Sequence, residues 1–290
     1  MHVNNPAAQT ALGPMIVVAA DQYEPAPLVH DPWAHRLLPW SGRIAAGATR
    51  WPAVRRYLMK ATEEKLSGGW ASFLCRKRYL DDQLLATIPQ GIEAVVILGA
   101  GYDTRAYRLP QLADIPVCEV DLPANVARKS SALQRCFGRT PHNVTLLPTD
   151  FETSDLTTRL ADAGFTHRQR IFYIWEAVTQ YLSEAAVRST MEHLAGAAPG
   201  SALGFTYVRQ DFLDGRQMYG AQKAYDDFVV KQRLWKFGMD PRGVSAFLAE
   251  YGWHEREQVG PEEYAARYLT PNGRTMTASA IERAVYAERR

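Results

Sequence analysis

Residues 95–110 read VVILGAGYDTRAYRLP, and within them a buried strand gives way to the turn that decides the fold. The apolar run from Val95 ends in Gly99, Ala100 and Gly101. Glycine lets the chain turn sharply and lets a ligand come close to the backbone. The pattern predicts a strand followed by a binding loop, as at many nucleotide sites. Asp103 lies two residues beyond Gly101, where an acid would repel the phosphate of a nucleotide.

Downstream of this loop the chain alternates between short apolar runs and helix-like segments. The runs cover residues 93–101, 116–121, 143–150, 170–177 and 201–208. Their hydrophobicity is continuous rather than alternating, which is typical of a parallel sheet covered by helices on both faces. Residues 253–260 and 281–289 are expected to form two further strands. The sequence therefore predicts an α/β, doubly wound fold.

Two segments fall outside this alternation. Residues 1–90 have helical and loop patterns, which predict an N-terminal helical cap ahead of a core at 91–290. Residues 209–240 interrupt the core with a long aromatic-rich stretch that we expect to be helical. Insertions of this kind form substrate-specific walls in α/β enzymes, so we expect a lid in one compact unit with the core.

Composition excludes several classes of protein. The 290 residues carry 33 Lys and Arg against 31 Asp and Glu, mixed along the chain. This balance gives no electrostatic footprint for nucleic acid or an anionic membrane, so we expect neither partner. Three scattered cysteines predict reduced thiols in the cytoplasm and no metal site. The apolar run at 15–20 lacks the features of a signal peptide or membrane span.

Four successive strands each end in a carboxylate. These acids are Asp103, Asp121, Asp150 and Glu176. Ligands of open α/β sheets bind beyond the strands' carboxyl ends. Asp121 follows Gly101 by 20 residues, the spacing at which an acid binds ribose hydroxyls. Asp150 can accept from an exocyclic amine and Phe151 can pack on a purine, so the sequence predicts an adenosine site.

The group attached to the adenosine distinguishes two candidate cofactors, a dinucleotide and S-adenosylmethionine. A dinucleotide would need a third glycine where Thr104 stands, and its pyrophosphate would lie beside Asp103. S-adenosylmethionine instead carries an ammonium and a sulfonium, which suit Asp103 and Glu176. Its carboxylate needs a forked donor, and Arg76 is the candidate, with Arg78 left open.

The chain also resembles a known family at these residues. DPWA, CRKRYLDD, LGAGYDTRAYRL, EVDLP and WEAVTQYL are similar to the leucine carboxyl methyltransferase-like branch of class I S-adenosylmethionine-dependent methyltransferases. The resemblance implies a seven-stranded, mostly parallel Rossmann-like sheet whose last strand is antiparallel. It supports cofactor contacts, which we place at Arg76, Gly99, Ala100, Gly101, Asp103, Asp121, Leu122, Asp150, Phe151 and Glu176.

Members of the family methylate oxygen, often that of a carboxylate. We expect a small aromatic or polyketide-like acid or phenol in secondary metabolism as the acceptor, with Arg209, Tyr207 and Tyr225 as substrate contacts. Glu176 and Tyr181 are the catalytic candidates, acting mainly by positioning, since methyl transfer gains much from alignment of the reactants. The product would be S-adenosylhomocysteine. The sequence leaves open whether the chain is a monomer or homodimer.

Alternatives remain at this point. The acceptor could be a protein C-terminus or a tRNA side chain. A NAD-dependent oxidoreductase would share the glycine loop and Asp121. A cofactor-binding protein without catalysis is not excluded, because methyl transfer needs few dedicated side chains.

Overall fold

A computed structural model describes residues 10–290. Within them, seven strands form one sheet. They are β1 (Ala94–Leu98), β2 (Val117–Asp121), β3 (Val144–Pro148), β4 (Ile171–Trp175), β5 (Ala202–Val208), β6 (Trp253–Val259) and β7 (Glu282–Arg289). The sheet order is β3-β2-β1-β4-β5-β7-β6. Strands β1 to β5 pair in parallel, whereas β7 runs antiparallel to both β5 and β6. The predicted mostly parallel, doubly wound α/β fold is confirmed.

Helices precede the sheet and connect its strands. They are α1 (Leu12–Asp21), α2 (Ala34–Leu37), α3 (Trp40–Ala48), α4 (Pro52–Lys65), α5 (Gly69–Thr87), α6 (Arg105–Arg108), α7 (Pro123–Phe137), α8 (Leu156–Asp162), α9 (Glu184–Ala195), α10 (Gln210–Leu213), α11 (Gln222–Ala224), α12 (Val244–Glu250) and α13 (Pro261–Tyr264). In the described part of the chain, none combines the length and apolar character needed to cross a bilayer.

The sheet separates two apolar cores, because successive side chains of a strand point to opposite faces. Val95 and Ile97 of β1 pack with α1 and α5, whereas Val96 and Leu98 pack with α9 and α12. The N-terminal helices thus share a core with the sheet itself. The division into a cap at 1–90 and a core at 91–290 stays a prediction, and residues 1–9 of that cap lie outside the described residues.

The aromatic segment after β5 is less regular than the long helix expected for residues 209–240. It contains α10, α11 and a π-helical turn at Tyr225–Lys231, followed by irregular chain. Gly215, Tyr219 and Gly220 all have positive φ, at 72°, 50° and 72°, which breaks helical geometry between the pieces. Aromatic periodicity alone could not reveal these interruptions.

Candidate active site

A cavity of about 860 Å³ opens beyond the carboxyl ends of the parallel strands. Its size lies within the range of small-molecule sites, ~300–1,000 Å³. All eleven residues predicted to bind the cofactor or assist catalysis line it: Arg76, Gly99, Ala100, Gly101, Asp103, Asp121, Leu122, Asp150, Phe151, Glu176 and Tyr181. The structure brings these residues together, and their individual roles stay predictions.

The glycine loop after β1 forms the cavity floor. Gly99 and Gly101 have φ of 72° and 46°, which favours residues without a Cβ. A Cβ on Gly99 would lie 2.3 Å from Cγ2 of Val178, so a larger residue cannot be accommodated without displacing Val178. The amides of Gly99 and Ala100 both donate to the carbonyl of Val120, at 2.8 and 3.0 Å, and fix the loop to β2.

Asp121, at the end of β2, holds that loop from the other side. Its carboxylate accepts from the amides of Gly101 (2.5 Å) and Leu122 (2.7 Å) and from Nδ2 of Asn125 (2.6 Å). Burial raises the pKa of Asp121, and these three hydrogen bonds oppose the shift. Two carboxylate oxygens offer about four acceptor positions, so one remains for a ribose hydroxyl.

Asp150 and Phe151 follow β3 at the same edge. Oδ1 of Asp150 accepts from the amide of Glu152 at 3.0 Å, whereas Oδ2 has no hydrogen-bond partner among residues 10–290. Phe151 is buried and belongs to the core on the α9 side of the sheet. A free acceptor beside an apolar ring suits the amine and face of an adenine.

Asp103 and Glu176, predicted to meet the cationic end of the cofactor, are both paired with arginine side chains of the protein. Nη2 of Arg105 donates to Glu176 at 2.8 Å, and its Nη1 donates to Asp103. Nε of Arg76 donates to Glu176 at 3.2 Å. Burial opposes ionisation of Glu176, but Lys77, Arg105 and Arg76 outweigh it and lower its pKa to about 2. A cationic ligand would therefore meet carboxylates that already interact with arginine and lysine side chains.

The structure separates the two candidate arginines. Arg76 faces the cavity from α5, where its Nη1 also donates to Glu282 at 2.7 Å. Arg78 lies outside the cavity, where it bonds Asp82 (2.8 Å) and the carbonyl of Leu28 (3.1 Å). Of these two arginines, Arg76 is therefore the one placed to reach a ligand in the cavity.

The three residues predicted to contact substrate do not line the cavity. The hydroxyl of Tyr207 donates to Gln258, Arg209 pairs with Asp211 at 2.8 Å, and Tyr225 packs edge-on against Phe212. Along β5 it is Val208 that faces the cavity, so its neighbour Tyr207 points to the other face of the sheet. Their role as substrate contacts stays a prediction that this geometry does not support.

Sequence reasoning missed two charged residues in the wall. Lys77 stands next to Arg76 on α5, and Glu282 begins β7 beside Val208. Antiparallel pairing of β7 with β5 brings Glu282 to Arg76 across 206 residues of sequence. No local pattern marks a lone glutamate that acts at such a distance. The sequence shows that Lys77 is charged, but it does not show that its side chain faces the cavity.

The family model and the curated relatives identify the chain as a class I S-adenosylmethionine-dependent methyltransferase. The chain belongs to the leucine carboxyl methyltransferase family, whose family model matches residues 11–195. Membership sets aside the dinucleotide alternative: the chain is an enzyme whose cofactor is S-adenosylmethionine.

Relatives and solved structures agree with this assignment. A protein of Mycolicibacterium paratuberculosis named as an S-adenosyl-L-methionine-dependent methyltransferase is 29% identical, over 89% of this chain and 85% of its own length. A similarly named protein of Parafrankia is 32% identical, over 63% of this chain and 57% of its own. A methyltransferase structure from Thermobifida fusca has the same fold, with a TM-score of 0.54 at 15% identity, covering 83% of this chain and 90% of that one.

Proposed function

We propose that the enzyme transfers the cofactor's methyl group to a carboxylate oxygen of a small, largely apolar, ring-containing molecule. When bound, S-adenosylmethionine supplies an electrophilic methyl group. The residues proposed to hold it are Arg76, Gly99, Ala100, Gly101, Asp103, Asp121, Leu122, Asp150, Phe151 and Glu176. Reduced cysteines, two of them buried, are in keeping with a cytoplasmic location.

The weak basicity of Glu176 and Asp103 supports the choice of a carboxylate acceptor. Among the described residues that line the cavity there is no histidine and no cysteine. Glu176 has a pKa of about 2, and the cations around Asp103 hold its pKa below the usual range against the effect of burial. Neither can readily remove a proton from a phenol, whose pKa is about 10. A carboxylate is already ionised at neutral pH and needs no base.

Aromatic and aliphatic walls support a ring-containing acceptor. Phe73, Phe228 and Trp235 line the cavity, with Leu58 and Ile16 from the N-terminal helices. Phe228 and Trp235 stack with ring centroids 4.8 Å apart. Apolar walls with few polar groups are typical of sites for small organic ligands.

Tyr181 is proposed to position the acceptor. It lies in the short helix at Thr179–Tyr181, beside Glu176 in the cavity wall. Burial raises its pKa, with the side chains of Thr10 and Trp235 opposing the shift. The phenol group therefore stays protonated at neutral pH and can donate to a substrate oxygen.

A matched pair of probes tests the proposal. 2-Naphthoic acid and 2-naphthol share a ring system and differ in the acceptor group. With S-adenosylmethionine we expect the methyl ester to form at least about tenfold faster than the methyl ether, at a rate that is flat between pH 6 and 9, measured by mass spectrometry. Preference for the naphthol, with a rate that rises with pH, would contradict a carboxylate acceptor.

Two variants of the same segment test the wall. Phe228→Ala should raise the KM for 2-naphthoic acid several-fold without changing the affinity for S-adenosylmethionine. Val230→Ala is the control, because Val230 belongs to the same π-helical turn and is 54% exposed. Equal KM values in the two variants would remove Phe228 from the acceptor site.

A further inference from the structure

Lys77 places a buried ammonium in the cavity wall. Its side chain is 9% exposed, and its Nζ lies 3.6 Å from Oδ2 of Asp103 and 3.5 Å from Oε2 of Glu176. Both distances exceed the ~2.7–3.2 Å of an N–H···O hydrogen bond, and Nζ has no closer partner within residues 10–290. The ammonium therefore acts on this site as a charge rather than as a hydrogen-bond donor.

The two acids do not depend on Lys77 for hydrogen bonds. Arg105 donates to both of them, and Arg76 donates to Glu176. Removing the ammonium therefore leaves each carboxylate with an arginine partner. What changes is the net charge of the wall.

Ion pairs of at most 4.0 Å join nine buried or partly buried groups around this point. The acids are Asp31, Asp81, Asp103, Glu176 and Glu282, and the cations are Arg76, Lys77, Arg105 and Arg108. Five negative and four positive charges leave this described network at −1. Without Lys77 it would carry −2.

The cofactor and its product differ by one charge. Both carry an ammonium and a carboxylate, but only S-adenosylmethionine carries a sulfonium. We propose that Lys77 sets the selectivity of the site between S-adenosylmethionine and S-adenosylhomocysteine by lowering the negative charge around Asp103 and Glu176 by one unit.

A more negative wall would bind the sulfonium of the cofactor more tightly than it binds the transition state. The positive charge of sulfur disperses as the methyl group leaves, so attraction to it is strongest before transfer. Interactions that favour the bound reactants over the transition state do not accelerate a reaction. Lys77 thus limits how tightly the site binds the charged form.

Calorimetric titration with S-adenosylmethionine and S-adenosylhomocysteine tests the proposal without any acceptor. At an effective dielectric constant of about 20, a unit charge within about 8 Å changes the affinity for a cation by about tenfold or more. Lys77→Met should therefore shift the ratio of the two Kd values at least about tenfold toward S-adenosylmethionine. Lys77→Arg keeps the charge and should leave the ratio within about twofold of the parent.

Arg78→Gln is the matched control, because it removes a cation from the next position of α5 but outside the cavity, and it should not move the ratio. Lys77→Gln replaces the methionine variant if that variant does not fold, as judged by circular dichroism. An unchanged ratio in the neutral variants would overturn the proposal. So would equal weakening of both ligands, which would make Lys77 a contact to their shared carboxylate. None of these outcomes depends on which oxygen accepts the methyl group.

Discussion

Ala177 directly follows Glu176 and has a φ of 57°, a left-handed conformation that favours glycine. Its amide donates to Oγ1 of Thr206 at 2.8 Å, and that hydroxyl donates to Glu282 at 2.8 Å. Glu282 in turn accepts from Arg76 at 2.7 Å. The unfavourable backbone at Ala177 is therefore tied by three hydrogen bonds to the charged wall of the cavity.

Replacing this alanine with glycine should stabilise the protein. The left-handed conformation costs a residue with a Cβ roughly 1–2 kcal/mol, and glycine's greater freedom in the unfolded chain offsets about 0.4–1 kcal/mol of the gain. We expect Ala177→Gly to raise the free energy of unfolding by about 0.5–1 kcal/mol in urea titrations.

Ala246→Gly provides the opposite control, since Ala246 is exposed within α12 and should lose about 1 kcal/mol. If Ala177→Gly destabilises the protein as much as Ala246→Gly does, the left-handed conformation at residue 177 is not strained.

Helix α7 covers the sheet and also contacts the glycine loop. Nζ of its Lys129 donates to the carbonyl of Asp103 at 2.6 Å and to that of Gly101 at 3.3 Å. It also pairs with the buried Glu119 of β2 at 2.9 Å. One ammonium thus joins the helix, the second strand and the glycine loop, and keeps the loop in the shape that a cofactor would meet.

Two variants separate the structural and binding roles of Lys129. Lys129→Met should cost about 3–5 kcal/mol of stability, because it leaves the buried Glu119 charge without an ionic partner. Adding Glu119→Gln removes that charge and should restore most of the stability, since the hydroxyl of Tyr107 can still donate to it.

The double variant should nevertheless bind S-adenosylmethionine about tenfold more weakly by calorimetry, because the two loop carbonyls still lack their donor. Parent-like affinity in the double variant would show that the loop keeps its shape without Lys129.

Over the chain as a whole, the strands and the residues at their ends could be predicted from the sequence. Side-chain pairs between residues distant in the sequence could not. The strand ends placed Asp121, Asp150 and Glu176 at one edge, because parallel strands share a direction. Arg105 pairs with Glu176 and with Asp81, which lie 71 and 24 residues away, and no spacing in the sequence encodes these contacts. Tyr207 does not line the cavity for a simpler reason: its place in β5 is one residue from the position that faces the cavity.

Two neighbouring histidines, His167 and His193, make the stability of the folded protein depend on pH. The rings of His167 and His193 lie 4.7 Å apart, and Nδ1 of His193 bonds Oγ1 of Thr157 at 2.9 Å. Burial and the neighbouring His167 lower the pKa of His193 to about 4, against a weaker opposite effect of Asp155. Its other nitrogen, Nε2, is buried without a hydrogen-bond partner among the described residues. The folded protein therefore holds this ring neutral.

Acid should consequently destabilise the fold in a defined range. An unfolded histidine takes up its proton near pH 6.5, whereas folded His193 does so only near pH 4, so stability falls between these values and this contribution is constant below them. Between pH 7.5 and 5 we expect His193 to account for a loss of about 2 kcal/mol in urea unfolding. His193→Asn, which can still bond Thr157, should lose that much less over the same range. His254→Asn is the control, because His254 is exposed, and its pH profile should follow that of the parent. If His193→Asn loses stability as steeply as the parent between pH 7.5 and 5, His193 does not carry the acid sensitivity in this range.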